Sequence, residues 1–436
     1  MKKLFILLFT IVMILPLYAQ ETEPDKIKEL DENMSNRGKT GDVHTDEEPY
    51  VKQDTEFAEN LGPPPKKPFN FARQHFELGY DIGIGADNGL LGTSDIFTKN
   101  VVIDMNKLAN DVDKVGADIN FDMGGNFFIN IMNIPIGEGI WDFGVSGGAD
   151  GGINFNLPES LFKFMAEGNI KEHNSSGTIS ASGGIYGDAG LSVSAQYEDL
   201  KIGIRPALYT PLIFIPKSGI TYSIKAEDSF ALKAGGGIIM YGPLIAGEDP
   251  QFGFDLALEG EYALYSFLDV GGSLSHIPLA AAQLEKGMRY TLDNLHYEID
   301  MNFNDQAAPD LDFKKDENYK SSVKVFRPMC FDVYARYKPL DTELVVVKPN
   351  IGFTVDINEG EGYFNAGLEG QVNLKDLFIV HLGTGLQESI WKHRLGFALN
   401  LRAFELDLEG SLRSQYFVGS WTGQGFGVAI GMRFGW

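Results

Sequence analysis

The chain has 436 residues and carries 60 acidic against 36 basic side chains, a formal net charge of −24 with a single cysteine. This balance argues against a nucleic-acid partner, and the lone Cys330 rules out an intramolecular disulfide framework. Glycine, at 51 residues, exceeds its usual share of about 7% and aromatics reach 12%, which suits strands that twist, tilt and carry interfacial rings.

At the N-terminus, Lys2 and Lys3 precede an apolar run from Leu4 to Leu15, and Leu17-Tyr18-Ala19 offers a cleavage site. Residues 1–19 therefore read as a secretory signal peptide, the run being short of the about 20 apolar residues of a membrane-spanning helix. No cysteine follows it, so a lipoprotein anchor is not expected, and no later stretch approaches helical spanning length. Residues 20–70 form a second region. Between 21 and 60, thirteen Asp and Glu face five Lys and Arg, too polar a composition to bury a core of its own. The stretch Pro63-Pro64-Pro65-Lys66-Lys67-Pro68 ends this disordered segment as a stiff extended spacer.

From residue 71 onward, segments of period two recur, the spacing that puts alternate side chains on opposite faces of a strand. Phe76, Leu78, Tyr80, Ile82 and Ile84 alternate with Glu77, Gly79, Asp81, Gly83 and Gly85. Ala117, Ile119, Phe121 and Met123 alternate with Asp118, Asn120, Asp122 and Gly124. Trp141, Phe143 and Val145 continue the pattern, and Ile179 to Tyr197 keeps its phase far beyond the 9–11 residues a membrane strand needs, so it should project past the bilayer. In the second half, Phe254, Leu256 and Leu258 oppose Asp255 and Glu259, and Phe364 and Leu368 oppose Asn365 and Glu369. Leu395 to Leu401 occupy odd positions and Leu406 to Leu412 even ones, the phase flip of a tight turn near Arg402 to Glu405. Lys375-Asp376 is a second such turn. About seventeen strand candidates result. If these strands close into a membrane barrel, where even numbers are the rule, one or two must be merged or lie off the membrane, and 14–16 wall strands are expected, 14 being favoured.

Four stretches break the alternation. Val101, Met105, Leu108, Val112 and Val115 fall at helical spacing over 100–115. Pro158 opens a short helix carrying Leu161, Phe162 and Met165, and Pro278 opens another from Leu279 to Lys286, stopped by Gly287. Leu212-Ile213-Phe214-Ile215 is apolar without period. All four are expected as inserts in extracellular or lumenal connections. The run Gly147 to Gly152 around Asp150 lies inside an alternating strand with no helix after it, so it reads as a place where the wall bends or a segment comes close, not as a nucleotide loop.

The last strand carries the most information. Phe426, Val428, Ile430, Met432, Phe434 and Trp436 form one apolar row, opposed by Gly427, Ala429, Gly431, Arg433 and Gly435. An apolar edge at a chain end is an aggregation hazard in water, whereas closure into a barrel removes the edge. The row resembles the C-terminal assembly signal of bacterial outer-membrane β-barrels. That resemblance implies an all-β, transmembrane, antiparallel up-and-down barrel over residues 71–436, placed in the outer membrane among its lipids and inserted by the barrel-assembly machinery.

The polar row of each strand then faces the lumen. Its candidates are Glu77, Asp81, Asp118, Arg205, Lys233, Asp255, Glu259, Glu261, Glu369, Arg402, Asp407, Glu409, Arg413 and Arg433. No catalytic constellation, cofactor motif or metal-ligand spacing is found, and the seven histidines are scattered. Asp87-Asn88-Gly89 and Glu359-Gly360-Glu361 lack the full calcium-loop pattern. The expected function is a porin-like channel for small solutes. Residues 71–436 carry a net charge of −20, so the channel should prefer cations. In length, strand number and helical inserts the chain also resembles FadL-type transporters, which implies an internal plug and a hydrophobic substrate. That family's N-terminal Asn-Pro-Ala motif is missing from a comparable place, so none of its ligand-binding residues carries over. A barrel that anchors a structural or adhesive surface protein is the third alternative.

Overall fold

The computed structural model describes residues 75–88, 116–167, 175–226, 229–300, 313–340, 344–375, 377–401 and 403–436. The expected 100–115 helix, Arg402 and the acidic N-terminal segment lie outside these residues.

Seventeen antiparallel strands form one sheet. They are β1 (Phe76–Asn88), β2 (Ala117–Ile136), β3 (Gly139–Leu157), β4 (Ser175–Tyr197), β5 (Leu200–Ala226), β6 (Ser229–Tyr241), β7 (Gly253–Tyr265), β8 (Leu268–Ala280) and β9 (Ala282–Asp300). There follow β10 (Phe313–Val325), β11 (Met329–Tyr337), β12 (Val345–Asp356), β13 (Glu361–Leu374), β14 (Phe378–Gln387), β15 (Ile390–Leu401), β16 (Phe404–Ser414) and β17 (Gly425–Gly435). Among the described residues three short helices interrupt them: α1 (Glu159–Glu167), α2 (Pro243–Ala246) and α3 (Phe417–Trp421). Fourteen strands close into a barrel, in the ring order β1 to β5, β7, β8, then β11 to β17 back to β1.

Closure is made by β1 against β17, in register from Glu77↔Gly435 to Asp87↔Gly425. At its foot, Phe76 stacks on Trp436 with ring centroids 4.6 Å apart. The Trp436 carbonyl accepts the backbone N–H groups of His75 (2.9 Å) and Phe76 (3.2 Å). Ile82, Ile84, Phe364, Phe397, Phe426 and Val428 are each more than half exposed on the outer surface. An apolar row left in water would be unstable; against lipid it is the solvated face. Tight turns such as Gly137-Glu138 and Glu198-Asp199 gather at the end where both chain termini of the wall lie, and the longer connections at the other. Short periplasmic turns and long extracellular connections are the usual pattern of outer-membrane barrels.

The remaining three strands are a second storey. β5 is 27 residues long; its first half pairs with β7 and its second half, from Phe214, with β6. β6 then pairs with β9, and β9 with β10. Each of these sits directly above a wall strand, separated from it by residues 242–252, Ala281 and 326–328. The upper sheet leans over the mouth of the barrel. Tyr241, Ala282, Leu284 and Val325 on it bury against Tyr186, Tyr209 and Phe214 of β4 and β5. The Tyr209 hydroxyl donates toward the carbonyls of Val325 (2.9 Å) and Ala280 (3.1 Å). On the far side Lys217 of β5 reaches the β12–β13 connection, its Nζ 2.6 Å from Glu361 and its backbone N–H donated to Glu359 at 2.8 Å. Outside the wall strands, burial holds the Glu359 carboxyl above the ordinary range despite that bond.

Two expected inserts are strand instead. Leu279 to Lys286 is not a helix: Pro278 pairs with Asp255, and Ala282 and Leu284 are buried while Gln283 and Glu285 are exposed, a period of two. Leu212 to Ile215 runs inside β5, where Phe214 and Ile215 are both buried because the strand passes there from the wall into the upper sheet. The Pro158 helix is present as α1, with Phe162 buried.

The two faces generate a test. Phe364→Arg and Leu368→Arg, facing lipid, should each lose about 2–4 kcal/mol near the midplane, while Glu259→Gln and Glu369→Gln should cost about 1 kcal/mol or less. Urea unfolding of the barrel in lipid vesicles measures the difference, and equal losses at all four positions would overturn the assignment of faces. Deleting Trp436 removes both the ring against Phe76 and the carbonyl that ties down the start of β1. The expected outcome is loss of the compact, heat-modifiable species on unboiled gels of membrane fractions.

Candidate functional site in the barrel lumen

The inner face of the wall is ordered in rows. On β16 the inward positions read Glu405, Asp407, Glu409, Ser411 and Arg413 upward from the end where the wall begins and ends. Opposite them on β17 stand Arg433, Gly431, Ala429, Gly427 and Gly425. Beyond these, β1 presents Gly79, Asp81, Gly83, Gly85 and Asp87. Glycine and alanine thus alternate with charged neighbours across the strands, and the reason is steric. A Cβ at Gly85 would strike the guanidinium of Arg413, one at Gly190 that of Arg205, one at Gly203 the Glu259 carboxyl, and one at Gly396 the His381 ring. Each of these four glycines is the bed on which a long polar side chain from the next strand lies flat.

The charges so laid down pair extensively. Arg433 joins Glu405 at 2.7 Å and Asp81 at 3.5 Å. His381 sits 3.7 Å from Asp407 and 3.5 Å from Glu409. Arg394 binds Glu369 at 2.5 Å, and the Tyr334 hydroxyl donates to Glu261 at 2.7 Å. Arg413 contacts Asp122, and Gln415 donates to Asp118 at the upper rim. Asn130 donates to Glu77 at 3.3 Å lower on the same wall.

One residue crosses the lumen. Arg327, in the break between β10 and β11, is 4% exposed. Its guanidinium lies 2.9 Å from Asp150 on β3, 3.3 Å from Asp188 on β4 and 3.6 Å from Asp255 on β7. Asp188 also accepts from Arg205 at 2.6 Å. In the ring β3 and β11 are separated by β4, β5, β7 and β8, so this cluster spans space that an open pore would leave to water. The buried Tyr186 and Tyr209 of β4 and β5 lie close to it, Tyr186 directly opposite Asp150 in register.

Below and beside this bridge is a cavity of about 620 Å³. Asp81, Asp122, Asp150, Asp188, Asp407 and Glu409 line it, together with Arg205, Arg327, Lys392, Arg394 and Arg413. A second space of about 310 Å³ lies among Glu261, Tyr334, Arg336, Lys348, Glu369 and His381.

Of the candidates named from the sequence, Asp81, Arg205, Asp407, Glu409 and Arg413 meet at the larger cavity, and Glu261 and Glu369 at the smaller. Asp255 belongs to the Arg327 bridge, while Glu77, Asp118, Glu259 and Arg433 lie elsewhere on the inner wall. Lys233 does not face the lumen of the ring: it is exposed on β6, in the upper sheet. The sequence reading passed over Arg327, Asp188, Lys392 and Arg394. Pro328, which can donate no ladder hydrogen bond, was the local sign that the strand breaks beside Arg327.

A family model described as a family of unknown function (DUF5723) matches residues 72–213. No curated protein matches the chain. Among solved structures the chain is similar to the toluene transporter TbuX of Ralstonia pickettii, with a TM-score of 0.47 and 9% identity over 85% of this chain and 92% of that one. The toluene transporter TodX of Pseudomonas putida gives 0.43 and 10% over 85% and 91%. A FadL homologue of Pseudomonas aeruginosa gives 0.45 and 8% over 85% and 92%.

The Arg327 bridge yields a stability prediction. Arg327→Ala leaves Asp255 buried without its cation and Asp188 with Arg205 alone, and should cost about 3–5 kcal/mol. Asp150→Asn, at a carboxyl that is 48% exposed, should cost about 1 kcal/mol or less. Denaturant unfolding of the two variants measures both.

Proposed function

We propose that this protein is an outer-membrane transporter whose lumen is obstructed, so that solutes pass by way of a binding cavity and not through an open bore. The observation that carries this reading is Arg327, held 4% exposed between carboxylates of three different wall strands beneath the second storey. A 14-stranded ring has room for an aqueous passage, and ion pairs fixed within that room support the reading. The obstructed architecture is the one expected of a FadL-type transporter, and it displaces the open porin as the leading reading.

A second reading, uptake of a hydrophobic compound, is supported by Leu244, Phe252 and Leu279, all more than half exposed around the break between the two storeys. The charged lining of the larger cavity supports a polar solute instead. Ions that leak past the bridge meet more carboxylates than cations on the inner wall, which supports a cation preference that fades as screening shortens from about 10 Å at 0.1 M salt to about 3 Å at 1 M.

Planar-bilayer recording tests the obstruction. The natural protein should show no steady, porin-sized conductance. A double variant, Arg327→Met with Asp255→Asn, removes the bridge, leaves Asp188 paired with Arg205 and should conduct several-fold more. Steady large channels in the unmodified protein would overturn the reading.

A further inference from the structure

The larger cavity has two poles, and its chemistry names a ligand class. At the upper pole Lys392 and Arg413 stand directly opposite each other on β15 and β16, both on the inner face. Like charges in direct cross-strand opposition are destabilising, so this pair favours a further anion beside Asp122. Arg413 is 2% exposed. Its Nη1 faces Asp122, while Nε and Nη2, the parallel donors of its side edge, have no hydrogen-bond partner. That edge is the fork that receives a carboxylate through two parallel bonds. Lys392 donates to Gln387 at 3.1 Å, with the carboxylates of Asp122 and Glu388 nearby.

The lower pole is acidic. Asp407 and Glu409 share a single His381 at 3.7 and 3.5 Å, and Asp407 Oδ1 is buried without a hydrogen-bond partner. The other nearby cations are engaged, Arg394 with Glu369 and Arg433 with Glu405. Between the poles the floor is bare: Gly83 and Ala429 stand level with Glu409, and a Cβ at Gly124 would meet nothing within 4 Å. The Arg413 guanidinium reaches down to Gly85, level with Ser411, one inward position above Glu409 and two above Asp407. At about 3.4 Å per residue those separations are roughly 7 and 14 Å.

Resting on the reading of the lumen as a substrate passage, we infer that this cavity binds a small zwitterion of short-peptide size. Its carboxylate sits on Arg413 and Lys392, and its ammonium group on Asp407 and Glu409. A dipeptide in extended form carries its two charges at about the shorter of the two spacings, one residue pair of a strand apart. The volume of the cavity lies within the range of small-ligand sites, about 300–1,000 Å³.

Calorimetry on the full-length protein in detergent, with three probes, tests the inference. Glycylglycine should bind at least about tenfold more tightly than N-acetylglycylglycine, which lacks the cation, or glycylglycine amide, which lacks the anion. Arg413→Gln should lower glycylglycine affinity to the level of the amide and leave amide binding unchanged. Lys392→Gln, at a less buried position, is the second variant should Arg413→Gln fail to give the folded, heat-modifiable form. Asp407→Asn with Glu409→Gln should abolish the advantage over the acetylated probe. Equal binding of the three probes, or binding of toluene and none of them, would overturn the two-pole site. Absence of steady conductance in the bilayer would still stand for the obstructed transporter, so the two failures are distinguishable.

Discussion

Everything in this structure depends on the closing of one hydrogen-bonded ring. In hydrocarbon an unpaired backbone N–H or carbonyl costs several kcal/mol, so a sheet crosses a membrane only if its first and last strands pair. Here β1 and β17 do so along eleven residue pairs, locked at the base by Phe76 and Trp436. Because the ladder supplies the backbone bonds, the side chains are free to divide by face: apolar outward, charged inward.

Inside, the controlling interaction is between long polar side chains and the glycines beside them. Arg205 over Gly190, Arg413 over Gly85 and Glu259 over Gly203 lie against the wall and do not project into the bore. The abundance of glycine thus has a second cause besides twist: it thins the inner wall so that charge can be stored along it. Where several glycines and an alanine adjoin, at Gly83, Gly124 and Ala429, the storage space stays empty and becomes a cavity. Function and wall composition are therefore one problem.

The second storey links the mouth to the lumen. β5 continues upward past the membrane wall, carries β6, β9 and β10 with it, and rests them on Tyr186 and Tyr209. The breaks that let those strands lean inward also release residues 326–328 from the ladder, and this is what frees Arg327 to cross to Asp150 and Asp188. The Arg327 bridge is a by-product of strand geometry.

The sequence by itself determined the barrel, the division of its strands into two faces, and the α1 insert at Pro158. These are local matters: period two, turn chemistry and a Pro-first helix are written in neighbouring residues, and the final row from Phe426 to Trp436 has little use other than closure in lipid. Only the tertiary structure decided which strands make the ring and which charges meet. Residues 279–286 read as a helix in isolation, yet pairing with β7 and β10 makes them strand. Lys233 shares the alternation of a wall strand but sits in the upper sheet. Arg327 lies 177 residues from Asp150 in the chain, and nothing in the local pattern of either announces the other. Periodicity tells a side chain which face it takes; its partner across the lumen is set by the count, stagger and bending of every strand between them.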